Sequence, residues 1–148
     1  MQKLSNQILD LHELQKFAEN FSKDISVGDI CLFQGELGAG KTTFIRLLIN
    51  HLYLLNNFHK PASITSPTYP ILITYELSSS QIYHYDLYRV KYLKELEELD
   101  FFENLNNNIT FIEWPEILIR LPLNKKHYLI NLDIISETKR KINISFNQ

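Results

Sequence analysis

Apolar positions along this chain change their period several times, and each change marks an element. Leu11, Leu14, Phe17, Ala18 and Phe21 fall at helical spacing, with Asp10 placed to cap the first turn. Gly28 closes that region. Residues 29–34, Asp-Ile-Cys-Leu-Phe-Gln, form a short apolar run that predicts a buried strand. A glycine-rich turn follows and leads into a second helical run from about Lys41 to Leu54. Residues 61–70, containing Ser66-Pro67-Thr68-Tyr69-Pro70, predict a loop.

Beyond that loop the period shortens. Residues 71–77 and 81–85 predict two strands joined by a serine turn, and residues 95–102 a helix. Asn106-Asn107-Asn108 breaks the chain before another buried strand at 109–113. Residues 128–135 and 141–146 predict a hairpin across Ser136-Glu137-Thr138-Lys139. Strands interleaved with helices predict an α/β domain whose sheet is partly antiparallel. No linker, repeat or low-complexity tract divides the sequence, so residues 1–148 are expected to form one domain.

Composition supports that picture and narrows the chemistry. Hydrophobic residues make up 45% of the chain and charged residues 22%, which supplies one sizeable core. Eight Tyr and nine Phe favour sheet surfaces. A formal net charge of −2 lacks the basic footprint of a protein that holds nucleic acid alone. The one Cys, Cys31, lies in an apolar run and reads as a buried structural thiol, with no disulfide-linked partner. The sequence has no apolar signal core and no stretch long enough to span a membrane, so a cytoplasmic chain with no membrane association is expected.

The strongest chemical signal is Gly35-Glu36-Leu37-Gly38-Ala39-Gly40-Lys41-Thr42, which matches the phosphate-loop pattern G-x-x-x-x-G-K-[ST]. Three of the chain's four glycines lie in it. Glycines let the backbone turn so that successive N–H groups face phosphate oxygens, and the following helix adds its positive end. Lys41 can then reach the β- and γ-phosphates, Thr42 can offer its hydroxyl to Mg²⁺, and Thr43 is a further hydroxyl nearby. These residues point to a P-loop NTPase-like domain, three-layered, binding ATP with Mg²⁺.

Such a site needs an acid for the metal and another group to orient water. Glu113 ends the run Phe111-Ile112-Glu113, and Asp86 ends Tyr83-His84-Tyr85-Asp86. Both are candidates, and which is ligand and which is base stays open. Thr68 sits where nucleotide-sensing segments often lie, although a plain turn fits equally. Trp114-Pro115 caps the site or packs in the core. His84 reads as a structural histidine rather than a catalyst. Arg89 is either a phosphate-directed cation or an ion-pair partner of Glu95 or Glu97. The charges from Lys91 to Asp100 read as a solvated helix face.

Other P-loop classes fit less well. Asn124-Lys125-Lys126-His127 fails the guanine-reading Asn-Lys-x-Asp at its last position. Four Arg in the chain are few for the lid of a small-molecule or nucleotide kinase, which remains an alternative. A nucleotide-dependent binding switch with little hydrolysis is another.

Four blocks together resemble the bacterial TsaE family, the small ATPase of tRNA threonylcarbamoyladenosine biosynthesis. They are Gly-Glu-Leu-Gly-Ala-Gly-Lys-Thr-Thr-Phe at 35–44, Ser-Pro-Thr-Tyr at 66–69, Tyr-His-Tyr-Asp-Leu-Tyr-Arg at 83–89 and Ile-Glu-Trp-Pro-Glu at 112–116. The resemblance implies a mixed sheet, Mg²⁺ on Thr42 and Glu113, and Asp86 at the metal and γ-phosphate. It also implies Thr68 in a nucleotide-responsive switch and Trp114 beside the site. It implies work with the TsaB and TsaD proteins, which carry threonylcarbamoyl transfer to adenosine 37 of tRNA. ATP hydrolysis would reset that assembly, and tRNA would be met indirectly through it. The chain departs from the family in two places: Asp100 stands where a glycine usually follows Glu97-Glu98-Leu99, and Asp10 maps loosely onto a threonine near the base. Arg140, before the last strand, is a candidate neighbour of the adenine.

Overall fold

Alternation along each strand decides which core its side chains enter. The computed structural model describes residues 2–59, 61, 63–67, 71–121 and 123–148. Its strands are β1 (Gln2–Leu9), β2 (Ile30–Gln34), β3 (Leu72–Glu76), β4 (Gln81–Asp86), β5 (Ile109–Glu113), β6 (His127–Ile134) and β7 (Arg140–Asn147). Its helices are α1 (Leu11–Ser22), α2 (Lys41–Leu55), α3 (Leu93–Glu97), α4 (Phe101–Asn104) and α5 (Glu116–Ile119).

The strands form one seven-stranded sheet in the order β1-β7-β6-β2-β5-β4-β3. β2 runs parallel to both β5 and β6, and β4 parallel to β5. β7 pairs antiparallel with β1 and β6, and β3 antiparallel with β4. The sheet is therefore mixed, as expected, with a parallel centre and antiparallel flanks.

On one face Cys31, Phe33, Ile82, Phe111 and Ile130 pack under α1 and α2, where Phe21, Phe44 and Leu48 close the core. On the other, Ile30, Leu32, Tyr85 and Ile112 meet Leu96, Phe101 and Leu118 of the three short helices. β2 is covered on both faces, which explains its unbroken apolar run. Burial pushes the Cys31 thiol well above its usual range, with Asp29 adding to the effect, so it is structural.

One strand was not foreseen, and two local expectations are corrected. The polar segment before Asp10 is a strand: β1 pairs along β7 from Gln2 opposite Phe146 to Leu9 opposite Arg140. Backbone pairing at the sheet edge, rather than apolar alternation, orders it. Residues 95–102 are not one helix. α3 and α4 are divided at Asp100, whose φ of 51° is left-handed. The break lets both Leu96 and Phe101 reach the same core; five residues apart on a continuous helix, they would point about 140° away from each other. Asp29 lies just outside β2, where its carboxylate accepts the Ser26 N–H at 2.8 Å. Asp10 does cap α1: it accepts the Glu13 N–H at 2.8 Å while Glu13 accepts the Asp10 N–H at 2.8 Å. Among the described residues, no helix is long and apolar enough to cross a membrane.

Candidate functional site

The parallel strands β2, β5 and β4 all end at the same edge, and the loop 35–40 turns there from β2 into α2. In α/β sheets this carboxyl edge is where ligands bind. Gly35, Gly38 and Gly40 have φ of 152°, 80° and 102°. At Gly35 a side chain has no room, because a Cβ would lie 2.5 Å from the Leu132 carbonyl oxygen. Gly40 delivers the chain to α2, whose first N–H groups and dipole face the loop.

β4 and β5 place the two candidate acids side by side. Asp86 stands opposite Glu113 in the parallel register, and they are only 5% and 3% exposed. Glu113 shares the face of Phe111, and Asp86 that of Ile82, so both carboxyls project towards α2. Thr42, at the start of α2, donates its hydroxyl to Glu113 Oε1 at 2.8 Å, with Oε2 at 3.0 Å. His84 Nε2 meets the same Oε1 at 2.9 Å. Asp86 is held differently: it accepts the Tyr88 N–H at 3.0 Å, and Ser66 Oγ lies 3.5 Å away.

Lys41 reaches back over the loop, donating to the carbonyls of Gly35 at 2.5 Å and Glu36 at 3.0 Å. Its ammonium also lies 3.9 Å from the centre of the Trp114 ring. Burial pulls the lysine below its usual range, while Glu113, Glu116, Asp86 and Glu36 push back. Trp114 takes a left-handed φ of 56°, and its ring pairs with Tyr88 at 4.8 Å between centres. A cavity of about 400 Å³ opens between these groups, lined among others by Lys41, Thr42, Asp86, Arg89, Glu113 and Trp114.

A second hollow of about 550 Å³ lies behind the loop, bounded by Leu9, His12, Gly38, Thr43 and Arg140. Arg140 donates from Nε to the Ala39 carbonyl at 3.1 Å and from its terminal nitrogen to Gly38 at 3.3 Å. Those two carbonyls are thereby held by Arg140, and the Ala39 N–H donates within the loop to the Glu36 carbonyl at 3.0 Å.

The oxygen donors suit a hard divalent cation. The Thr42 proton is committed to Glu113, which leaves the hydroxyl lone pairs for a metal, and two adjacent buried carboxylates favour positive charge beside them. Among the described residues no group of three or more His, Cys, Asp or Glu side chains forms a cage.

The structure thus brings together Lys41, Thr42, Asp86, Glu113 and Trp114, with Leu37, Gly38, Gly40 and Thr43 also on the cavity wall. Thr68 lies outside the described residues. Arg89 lines the cavity mouth, while the Glu95 carboxylate accepts the N–H groups of Lys91 and Tyr92. His84, read from sequence as structural, contacts the site directly. Its signal was parity: it shares a face with Asp86 two positions on.

A family model described as threonylcarbamoyl adenosine biosynthesis protein TsaE matches residues 8–142. The tRNA threonylcarbamoyladenosine biosynthesis protein TsaE of Rickettsia felis is 42% identical over 135 residues, covering 91% of this chain and 75% of that protein. The TsaE protein of Aquifex aeolicus is 30% identical over 145 residues, covering 97% of this chain and 98% of its own. The crystal structure of Bacillus subtilis YdiB has the same fold, with a TM-score of 0.69 at 22% identity over 97% of this chain and 84% of that one.

Proposed function

The chain belongs to the TsaE family, and from that premise we propose that it is a Mg²⁺-dependent ATPase serving the threonylcarbamoyl modification of adenosine 37 in tRNA. The observation that carries the hydrolytic part is the meeting of Lys41, Thr42, Glu113 and Asp86 at the amino end of α2.

In this reading the β- and γ-phosphates of ATP lie on the N–H groups of residues 36–43, with Lys41 leaving its loop carbonyls for phosphate oxygens. Thr42 and Glu113 hold Mg²⁺, and Asp86 lies beside them. The metal supplies charge neutralisation for the departing diphosphate. Glu113 is engaged by Thr42 and His84, and Asp86 orients the attacking water and takes its proton. The water oxygen bonds to the γ-phosphorus as the bond to the bridging oxygen breaks, releasing ADP and phosphate. Trp114 shields the phosphate side. The adenine lies in the second hollow beside Arg140, which shares Gly38, Gly40 and Thr43 with the phosphate cavity.

The work is coupled to TsaB and TsaD, which perform the transfer while this chain resets their assembly. The net charge of −2 supports indirect contact with tRNA. The test is ATP hydrolysis by purified protein, alone and with the TsaB–TsaD pair. Turnover should be slow alone and rise several-fold with the pair, and Lys41→Ala should abolish the rise. Equal rates with and without folded partners would remove the coupled role.

A further inference from the structure

The imidazole of His84 is fully buried on β4, and its one hydrogen bond among the described residues goes to Glu113. We propose that His84 is a positioning residue: its Nε2–H clamps the Glu113 carboxylate in the orientation that serves Thr42 and the metal. This rests on the reading of Glu113 as a metal-holding group.

The proton assignment follows from the partners. An ionised carboxylate only accepts, so the hydrogen lies on Nε2. Nδ1 is buried and has no partner among the described residues. Among the described residues the ring thus donates to one atom only, Glu113 Oε1.

Two donors then converge on Oε1, Thr42 Oγ1 at 2.8 Å and His84 Nε2 at 2.9 Å, while Oε2 stays within 3.0 Å of Thr42. Thr42 alone would leave the carboxylate free to swing about that single contact. His84 approaches from a different strand, and its position is set by the parallel pairing of β4 with β5, where it stands opposite Phe111. That backbone-fixed anchor is independent of the α2 end that carries Thr42. Packing alone does not account for an imidazole here. Ile82 precedes it on the same face, and an aliphatic side chain would continue that core without burying an unpaired nitrogen. Groups that orient a metal ligand in this way are commonly worth about 10–100-fold in metal affinity or activity.

The experiment compares His84→Gln, whose amide nitrogen reaches the Nε2 position, with His84→Leu, which fills the space and donates nothing. Mn²⁺ binding in the presence of ADP is followed by electron paramagnetic resonance, and ADP affinity in EDTA is measured alongside. The Leu variant should need roughly 10–100-fold more metal, with ADP affinity in EDTA within about twofold of wild type, and Gln should recover most of the loss. If Leu fails to fold, His84→Asn replaces it, since its shorter amide falls short of Oε1 and should behave as Leu is expected to. A folded Leu or Asn variant with the wild-type metal requirement overturns the proposal, as does a Gln variant no better than Leu. Wild-type protein that binds no metal with ADP would overturn the reading of Glu113 and this inference together, which separates that failure from loss of the clamp alone.

Discussion

Gly35 and Gly38 sit three residues apart in one loop, yet they answer to different constraints. At Gly35 a Cβ would meet the Leu132 carbonyl oxygen at 2.5 Å, so β6 closes on the loop there. At Gly38 a Cβ would have nothing within 4 Å, and only its φ of 80° resists a side chain. Gly38→Ala should therefore cost about 1–2 kcal/mol, the ordinary penalty of a left-handed L-residue. Gly35→Ala should cost more, because backbone strain and a backbone clash add. Urea midpoints of the two variants check this ordering, and equal losses would contradict it. At this scale the sequence was informative where chemistry is written in residue order. The phosphate loop is contiguous, and Asp86 and Glu113 end apolar strands. His84 was harder to read, because its partner lies 29 positions away and depends on a pairing register that one strand does not reveal.

Among the elements, the division of α3 from α4 shows what local pattern leaves out. The charges and apolar residues from 95 to 102 suit a helix by periodicity, but burial of both Leu96 and Phe101 demands a change of direction at Asp100. Asp100 holds this left-handed position without a side-chain cap to α4. Asp100→Gly should consequently raise stability by roughly 0.5–1 kcal/mol, since relief of the left-handed conformation outweighs the extra freedom of the unfolded chain. Thermal or urea unfolding measures it, and a loss of stability would mean that the aspartate makes a contribution beyond its φ. β1 was missed for the opposite reason. Ser5, Asn6 and Gln7 carry no apolar alternation, and the strand is defined by what β7 offers its backbone. The hairpin β6–β7 and the strands β2 and β5 were legible because their cores demand apolar residues at fixed spacing.

For the molecule as a whole, depth in the sheet predicts a gradient of protection. β2 lies between β6 and β5 and is covered on both faces, whereas β3 is an edge. Amide hydrogens of β2 and β5 should exchange slowest, near the rate of global opening, and those of the edge strands β1 and β3 fastest among the strands. Equal protection across the sheet would contradict this ordering. The interleaving of strands and helices announced a layered α/β architecture, but strand order came only from long-range packing. One feature of that order bears on how the chain is made. Among the described residues β1 has a single strand neighbour, β7, with Gln2 opposite Phe146. At a synthesis rate of about 5–20 residues per second, on the order of ten seconds separates their emergence from the ribosome. Throughout that interval the first strand waits for its partner, so the sheet closes at β1 only after β7 has been made.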